Sequence, residues 1–226
     1  MVGNAHPTIP CIHLCSSVFI CGYYKVMSYS EFTLSLLKSQ FELTIKEQRQ
    51  LFAQIESITP SEHLQETLAE NIPLALDIDT EKARSEMIIV PVLIELRKLF
   101  QRKISIFSGI DFNIDKEQGL NGICDFILSK SPEQLDLTAP IITIVEAKND
   151  NIKSGIPQCI AETIAAQIFN EGANNQISPI YGIVTTGSLW KFLRLEEKTV
   201  VVEQKEWFIE NIELLLGILS SLVSSQ

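Results

Sequence analysis

The chain has 226 residues, of which 46% are hydrophobic and 20% are charged, and its formal net charge is −10. A chain of this size and composition buries a core of its own, which excludes intrinsic disorder, collagen and coiled coil. No apolar run reaches the roughly 18 to 20 residues that span a bilayer, and the negative charge argues against a polybasic membrane-surface protein.

Residues 1–26 differ in composition from the rest of the chain. Their short apolar stretch, Cys15 to Tyr24, has no Lys or Arg before it and no small-residue cleavage pattern, unlike a signal peptide. Met27 starts an ordinary N-terminal sequence, so we expect it to be the initiator and residues 1–26 to be an unstructured or untranslated extension. A zinc site is the alternative for this segment, although the spacing of its ligands is wrong for a zinc knuckle or ribbon. The candidate ligands are Cys11, His13, Cys15 and Cys21.

Residues 27–79 are predicted to form an acidic helical cover. Apolar residues at helical spacing predict two helices before the stop at Pro60, with a break near Leu43. A further helix is expected from the N-cap Ser61 to Pro73, which closes it. Acidic residues outnumber basic ones about three to one in this segment, as is typical of a solvated surface.

Residues 80–226 are predicted to form an α/β domain. A long apolar helix is expected from Glu81 to about Phe100, with a kink or restart at Pro91. After Lys103 the hydrophobic period changes from 3.6 to 2, which indicates strands. The continuous apolar run 141–145 predicts a central strand that is covered on both faces. The other elements are strands over 104–114 and 123–128, a helix over 155–170, strands near 180–185, 189–195 and 199–202, and a helix over 207–219.

The residue types of the strand-rich part exclude several chemistries. The only histidines are at positions 6, 13 and 63, outside it, so histidine-dependent triads and the common zinc hydrolase sites are not expected. The chain contains no Gly-x-Gly and no Walker-type lysine, which argues against the familiar nucleotide-binding enzymes. The five cysteines have no regular spacing, so we expect a reducing compartment, the cytoplasm, rather than a disulfide framework.

Charged residues interrupt two of the predicted strands. Glu146 and Lys148 end the most apolar strand, and with a period of two both leave the same face while Ala147 lies on the other. Asp125 lies within the apolar run of the preceding strand. A buried carboxylate or ammonium is costly unless it is partnered. If the strands pair, Asp125 and Glu146 hold a divalent cation with Lys148 beside it, and oxygen ligands without His or Cys specify Mg²⁺ or Mn²⁺.

Asp125, followed twenty-one residues later by Glu146-Ala147-Lys148, resembles the signature of the PD-(D/E)xK nuclease superfamily. The resemblance covers about Glu86 to Leu195. It implies a restriction-endonuclease-like α/β core of a helix, a three-stranded meander, a helix and further strands, here with an N-terminal helical extension. Cys124 stands before Asp125, where the superfamily signature has a loosely kept Pro. Additional similar features are Ser85-Glu86, Gly122, Gln158 and the strand end Ile183-Val184-Thr185-Thr186-Gly187.

The resemblance also implies a mechanism, the metal-dependent hydrolysis of a phosphodiester in nucleic acid, with DNA as the expected substrate. Glu86 would reach the metal through water or hold a second ion. Lys148 would orient or deprotonate the attacking water and offset charge on the phosphate, and Gln158 would position Lys148 or touch the substrate. The implied metal ligands are Glu86, Asp125, Glu146 and the backbone carbonyl of Ala147.

Each catalytic candidate has a simpler structural interpretation. Glu146 and Lys148 would form a solvated ion pair at a strand end. Asp125 would be an acid near a turn. Gln158 would cap its helix or face solvent.

The choice of Glu86 rests on a comparison with another acid of the same helix. Glu95 lies on the side of Lys98, where an i,i+3 ion pair explains it. Glu86 is therefore preferred as the ligand, with a role at the helix dipole or the surface as its alternative. Residues for which a structural role is favoured are Thr185, Thr186 and Trp190.

The charge distribution bears on the partners. The stretch from Glu86 to Leu195 has twelve acids and ten bases, so it does not repel a phosphate chain once some carboxylates bind metal. The acidic N-terminal helices would restrict access to DNA, which suggests a protein partner or a specific substrate. The apolar final helix, Ile209 to Val223, would suit a homodimer. The alternative function is a non-catalytic binding or regulatory module of a defence, repair or mobile-element complex, favoured by the low pI and the lack of a basic groove.

Overall fold

The computed structural model describes residues 27–52 and 54–225 of the chain. The expectations for residues 1–26, which are the extension before Met27, the absence of a signal peptide and the zinc alternative, lie outside these described residues. Within the described part the chain is mixed α/β, as the sequence predicts.

The helices of the described residues cover much of the predicted pattern. Ser61 and Thr80 are N-caps, and their side-chain oxygens accept hydrogen bonds from the backbone N–H of Leu64 and Ala83. A π-helical turn, Ser85–Ile89, joins two helices into one long helical stretch. The α-helices are α1 (Leu34–Gln40), α2 (Glu62–Ile78), α3 (Glu81–Arg84), α4 (Val90–Leu99), α5 (Ile152–Gly172) and α6 (Ile212–Ser224).

Pro91 explains the irregular turn before α4. Proline has no N–H, so the carbonyl of Met87, four residues earlier, loses its helical partner. The side-chain amide of Asn71 in α2 donates a hydrogen bond of 2.9 Å to that carbonyl instead. The restart predicted at Pro91 is therefore a local change of helix type, held in place by the neighbouring helix.

Within the described part of the chain, eight strands form a single sheet in which most neighbouring strands are antiparallel. The order across the sheet is β1-β7-β6-β5-β4-β3-β2, and β8 pairs with β6. β2, β3 and β4 form the predicted meander, and β5 returns parallel to β4 after α5. The strands are β1 (Thr44–Gln48), β2 (Ser105–Asp111), β3 (Ile123–Ser129), β4 (Ile141–Ala147), β5 (Ile180–Thr185), β6 (Leu189–Glu196), β7 (Thr199–Glu203) and β8 (Trp207–Phe208).

Two predicted features of the N-terminal segment are wrong. The second helix of that segment is absent, and Thr44–Gln48 forms β1, which pairs in parallel with β7. This pairing joins positions that are about 155 residues apart (44 with 199), so local periodicity carries no sign of it. Pro73 does not close its helix, because α2 continues to Ile78. Its apolar residues Leu64, Leu68 and Ala75 are buried on both sides of the proline, and this packing outweighs the lost hydrogen bond.

The sheet has an apolar core on each face. Helices α2, α4 and α6 cover one face, and α1 and α5 cover the other. Most apolar side chains of α6, among them Leu216, Ile218 and Leu219, are buried within the same chain, while Ile212 and Leu214 are half-buried. They are therefore not available as a dimer surface, and the reason for expecting a homodimer through this helix was wrong. Among the described residues, no helix combines the length and the apolar character needed to cross a bilayer.

Candidate active site

Asp125 lies where β3 and β4 separate. The ladder between these strands reaches the pair Phe126 and Val145. Beyond it, the Oδ2 atom of Asp125 accepts a hydrogen bond of 2.8 Å from the backbone N–H of Ala147. The Asp125 carboxylate therefore takes the place of a backbone carbonyl as acceptor. This hydrogen bond holds the Asp125 side chain between the two strand ends.

Glu146 and Lys148 leave the same face of β4, as the period of two predicts. The Nζ atom of Lys148 donates a hydrogen bond to Oε1 of Glu146. Only 1% of the Glu146 side chain is exposed, and its second oxygen, Oε2, is buried without a hydrogen-bond partner among the described residues. The pair is therefore not the solvated ion pair of the simpler interpretation, because one of its members is in the core.

Burial and neighbouring charge shift the ionisation of this cluster. Burial, followed by the charge of Asp125, raises the pKa of Glu146 to about 8. Burial also raises the pKa of Asp125, against the hydrogen bond from Ala147 and the charge of Lys148. Burial alone would lower the pKa of Lys148, but the charge and hydrogen bond of Glu146 outweigh it and raise this pKa. The metal-free site thus keeps Lys148 charged and disfavours a second full negative charge beside Asp125.

A cleft of about 290 Å³ opens on the other face of β4. Asp125 and Ala147 lie in its wall, so the small side chain of Ala147 leaves room beside the carboxylate. Gly109, opposite on β2, has a φ of +61° and open space where a Cβ would be. The remaining lining residues come from the start of the long helical stretch and from β2: Glu81, Lys82, Ser85, Glu86, Val90 and Ser108.

The helical stretch contributes two acidic side chains to the cleft, Glu81 and Glu86. The sequence predicted only Glu86. Glu86 lines the cleft, but 61% of its side chain is exposed and it forms an ion pair of 3.6 Å with Lys82. Glu81 also lines the cleft, and its charge raises the pKa of Glu146 and of Lys148. Its only sequence signal is its place directly after the N-cap Thr80.

The rejected alternative, Glu95, is structural. Its Oε1 atom accepts a hydrogen bond of 2.8 Å from the backbone N–H of Ser61 at the start of α2, and it pairs with Lys98 at 3.5 Å. The predicted i,i+3 pair is confirmed. Glu95 is buried because it joins α2 to α4. It does not line the cleft beside Asp125.

Gln158 connects Lys148 to a buried residue of α5. Its Oε1 atom lies 3.5 Å from Nζ of Lys148, and its Nε2 atom donates a hydrogen bond of 3.0 Å to Oε1 of Glu162. Glu162 is fully buried, and burial followed by the charge of Glu146 raises its pKa well above the usual range. Glu162 was not among the predicted site residues, although it is the one charged residue between Gly155 and Asn170.

Thr185, Thr186 and Trp190 have the structural roles that the sequence favoured. The hydroxyl of Thr185 accepts from the N–H of Gly187 and donates to the carbonyl of Leu189. The Thr186 hydroxyl accepts from the N–H of Leu189, and Nε1 of Trp190 donates to the carbonyl of Gly187. These bonds form the turn between β5 and β6.

The donor atoms suit a hard divalent cation with few protein ligands. No group of three or more His, Cys, Asp or Glu side chains within the described ranges is arranged to hold a metal ion. What the site offers is two carboxylates, Asp125 and Glu146, and the backbone of Ala147 between them. Mg²⁺ keeps several waters and is often bound through one or two carboxylates. The Oε2 atom of Glu146 fits such an ion, because a cation would satisfy an atom to which the described part of the chain offers no hydrogen bond.

The comparisons add no relative to this geometry. No known family model matches the chain, and no curated protein or solved structure is significantly similar to it.

Proposed function

We propose that the chain is a metal-dependent nuclease with a restriction-endonuclease-like core and a PD-(D/E)xK-type site. The observation that carries the proposal is the buried carboxyl of Glu146. One of its oxygens has no partner within residues 27–52 and 54–225, the other accepts from Lys148, and the carboxyl lies next to Asp125 at the end of a central strand. An unpaired carboxyl oxygen in a core is costly, so its retention favours a ligand that is bound during function.

The residues have separate roles in this proposal. Asp125, Glu146 and the carbonyl of Ala147 would hold Mg²⁺ or Mn²⁺, and Glu81 or Glu86 would reach the ion through water. The ion would supply Lewis acidity toward the phosphodiester. Lys148, kept as an ammonium by Glu146, would orient water and offset negative charge on the phosphate.

The arrangement of the elements supports the same proposal. The order helix, meander, helix and parallel strand places Asp125 on the second meander strand and Glu146 to Lys148 at the end of the third. Nucleic acid, with DNA as the first substrate to test, would enter the cleft from the side of β2. The buried free thiols of Cys124 and Cys159 are compatible with a reducing, cytoplasmic location.

A non-catalytic module of the same fold is the second candidate. The rim of the cleft favours it, because Glu81 and Glu86 oppose the phosphate backbone and Lys82 is the one base among the lining residues. Such a module would act through a protein partner in a larger complex.

Cleavage of nucleic acid distinguishes the two candidates. The parent protein would be incubated with single- and double-stranded DNA and RNA in Mg²⁺ or Mn²⁺, beside Lys148→Met. Lys198→Met is the matched control. Lys198 lies on the turn between β6 and β7 and forms an exposed ion pair with Glu42. The nuclease predicts cleavage by the parent and the control but not by Lys148→Met. Inactivity of all three proteins favours the module, and equal cleavage by all three contradicts a catalytic role for Lys148.

A further inference from the structure

A line of hydrogen bonds runs from the site into the protein interior. Glu146 accepts from Lys148, Lys148 lies 3.5 Å from Oε1 of Gln158, and Gln158 donates to Glu162 at 3.0 Å. The last two residues are one helical turn apart on α5, so their geometry is set by the helix. Glu162 is the inner end of this line and has no role in the proposed nuclease mechanism.

Glu162 occupies a place where an apolar residue would fill the space at lower cost. It is fully buried beside Cys159 and Ala165, and its Oε2 atom has no hydrogen-bond partner among the described residues. A buried carboxyl with one unused oxygen destabilises the fold relative to leucine. The position therefore invites a functional explanation.

The chemistry of the Gln158 side chain supplies one. Its amide can point either its oxygen or its NH₂ group at Lys148, and only the oxygen can accept from an ammonium. The Oε1 atom of Glu162 accepts a hydrogen bond, so it draws the NH₂ group toward α5 and leaves the oxygen toward Lys148. Leucine at position 162 would remove this preference.

We propose that Glu162 is a positioning residue that fixes the orientation of the Gln158 amide and thereby holds the ammonium of Lys148 against Glu146. Its effect on turnover rests on the proposed nuclease function, whereas its effect on the Lys148 ammonium does not. Residues that orient a site through an intermediate partner typically change activity by about 10- to 100-fold when they are removed.

The test compares Glu162→Leu, Glu162→Gln and Gln158→Leu with the parent protein. Glutamine at 162 keeps an acceptor of the same shape, so it should behave like the parent. The first readout is the NMR signal of the Lys148 ammonium in the metal-free protein, assigned by its loss in Lys148→Met. The second is kcat and KM for nucleic-acid cleavage in Mn²⁺.

We expect the ammonium protons of Lys148 to exchange with water several times faster in Glu162→Leu and Gln158→Leu, and at the parental rate in Glu162→Gln. We expect kcat to fall about tenfold in both leucine variants with KM nearly unchanged. The double variant that combines Glu162→Leu with Gln158→Leu should show no additional loss. Parental exchange in Glu162→Leu, or multiplicative losses in the double variant, would overturn the inference. If the parent cleaves nothing, the nuclease proposal fails, and the exchange rates still decide the role of Glu162.

Discussion

The carboxylate of Asp125 binds the backbone N–H of Ala147 at 2.8 Å, where a β-ladder would place a carbonyl. One strand end thus presents a carboxylate to the cleft through its side chain, and the next presents Glu146 and Lys148 on the opposite face. The β3–β4 ladder ends one residue short of Asp125, and Asp125 is close enough for its charge to raise the pKa of Glu146.

Asp125 is expected to tolerate loss of its charge but not of its acceptor. Asparagine keeps an oxygen for the Ala147 N–H, so the free energy of unfolding of Asp125→Asn should lie within about 1 kcal/mol of the parental value. In Asp125→Ala the free energy of unfolding should fall by about 1 to 3 kcal/mol. Urea unfolding measures both. Asp125→Asn should nevertheless lose most of its Mn²⁺ affinity, unlike Asp111→Asn, a control at the exposed end of β2. Equal affinity in the two asparagine variants would remove Asp125 from the metal site.

The metal-free protein should become less stable as the pH rises toward 8. The pKa of Glu146 is raised by burial to about 8 from 4.5, so between these values the unfolded chain has released a proton that the folded chain keeps. This contribution is complete below about pH 4.5 and is lost as the pH rises through about 8. Urea unfolding of the parent and of Glu146→Gln at pH 5, 7 and 9 measures it. If Glu146→Gln loses as much unfolding free energy between pH 5 and 9 as the parent does, the pH dependence does not come from the Glu146 carboxyl.

Two buried glutamates should respond in opposite ways to replacement by glutamine. Both oxygens of Glu203 accept hydrogen bonds, from the N–H of Leu51 and from Nε1 of Trp207, so Glu203→Gln should cost about 1 to 3 kcal/mol. Glu146 has an unpartnered oxygen, so Glu146→Gln should leave the metal-free protein as stable or more stable at pH 8. Thermal unfolding with chelator present compares them. A larger loss in Glu146→Gln than in Glu203→Gln would mean that the Glu146 carboxyl is structural.

Asn170 is expected to stabilise the fold without acting in the site. Its side chain accepts from the N–H of Ile141 and donates to the carbonyl of the same residue, which ties the end of α5 to the start of β4. Asn170→Ala should cost about 2 to 4 kcal/mol, because two buried backbone groups lose their partners. Gln167→Ala, which removes an exposed bond to Glu171 on the same helix, should change stability by less than about 0.5 kcal/mol. Similar unfolding midpoints for the two variants would refute this.

The sequence predicted the elements whose signal is local. The alternation in β2 and β3, the continuous apolar run of β4 and the apolar face of α5 are properties of neighbouring residues, and they placed Asp125, Glu146 and Lys148 on adjacent strands. β1 escaped prediction because its polar residues form a strand only by pairing with β7.

Two residues near the site, Glu81 and Glu162, escaped prediction, and for Glu81 the reason is the same as for β1. The charge of Glu81 acts on Lys148, and Glu81 lines the cleft, only because the helical stretch packs on the sheet. Glu162 differs, because a lone charge on an apolar helix was visible in the sequence. Its meaning depended on Gln158, one turn earlier, whose contact with Lys148 is again a property of the fold.

Mn²⁺ binding tests the central claim most directly. Calorimetric titration at pH 8 of the parent and of Glu146→Gln measures it, with Glu171→Gln as the control because Glu171 lies at the opposite end of α5. Since the ion must displace the proton held by Glu146, the parental affinity should also rise between pH 6 and 8. The proposed site predicts parental binding that Glu171→Gln keeps and Glu146→Gln loses. Absence of binding to the parent, or equal binding to all three proteins, would contradict a metal site at Asp125 and Glu146.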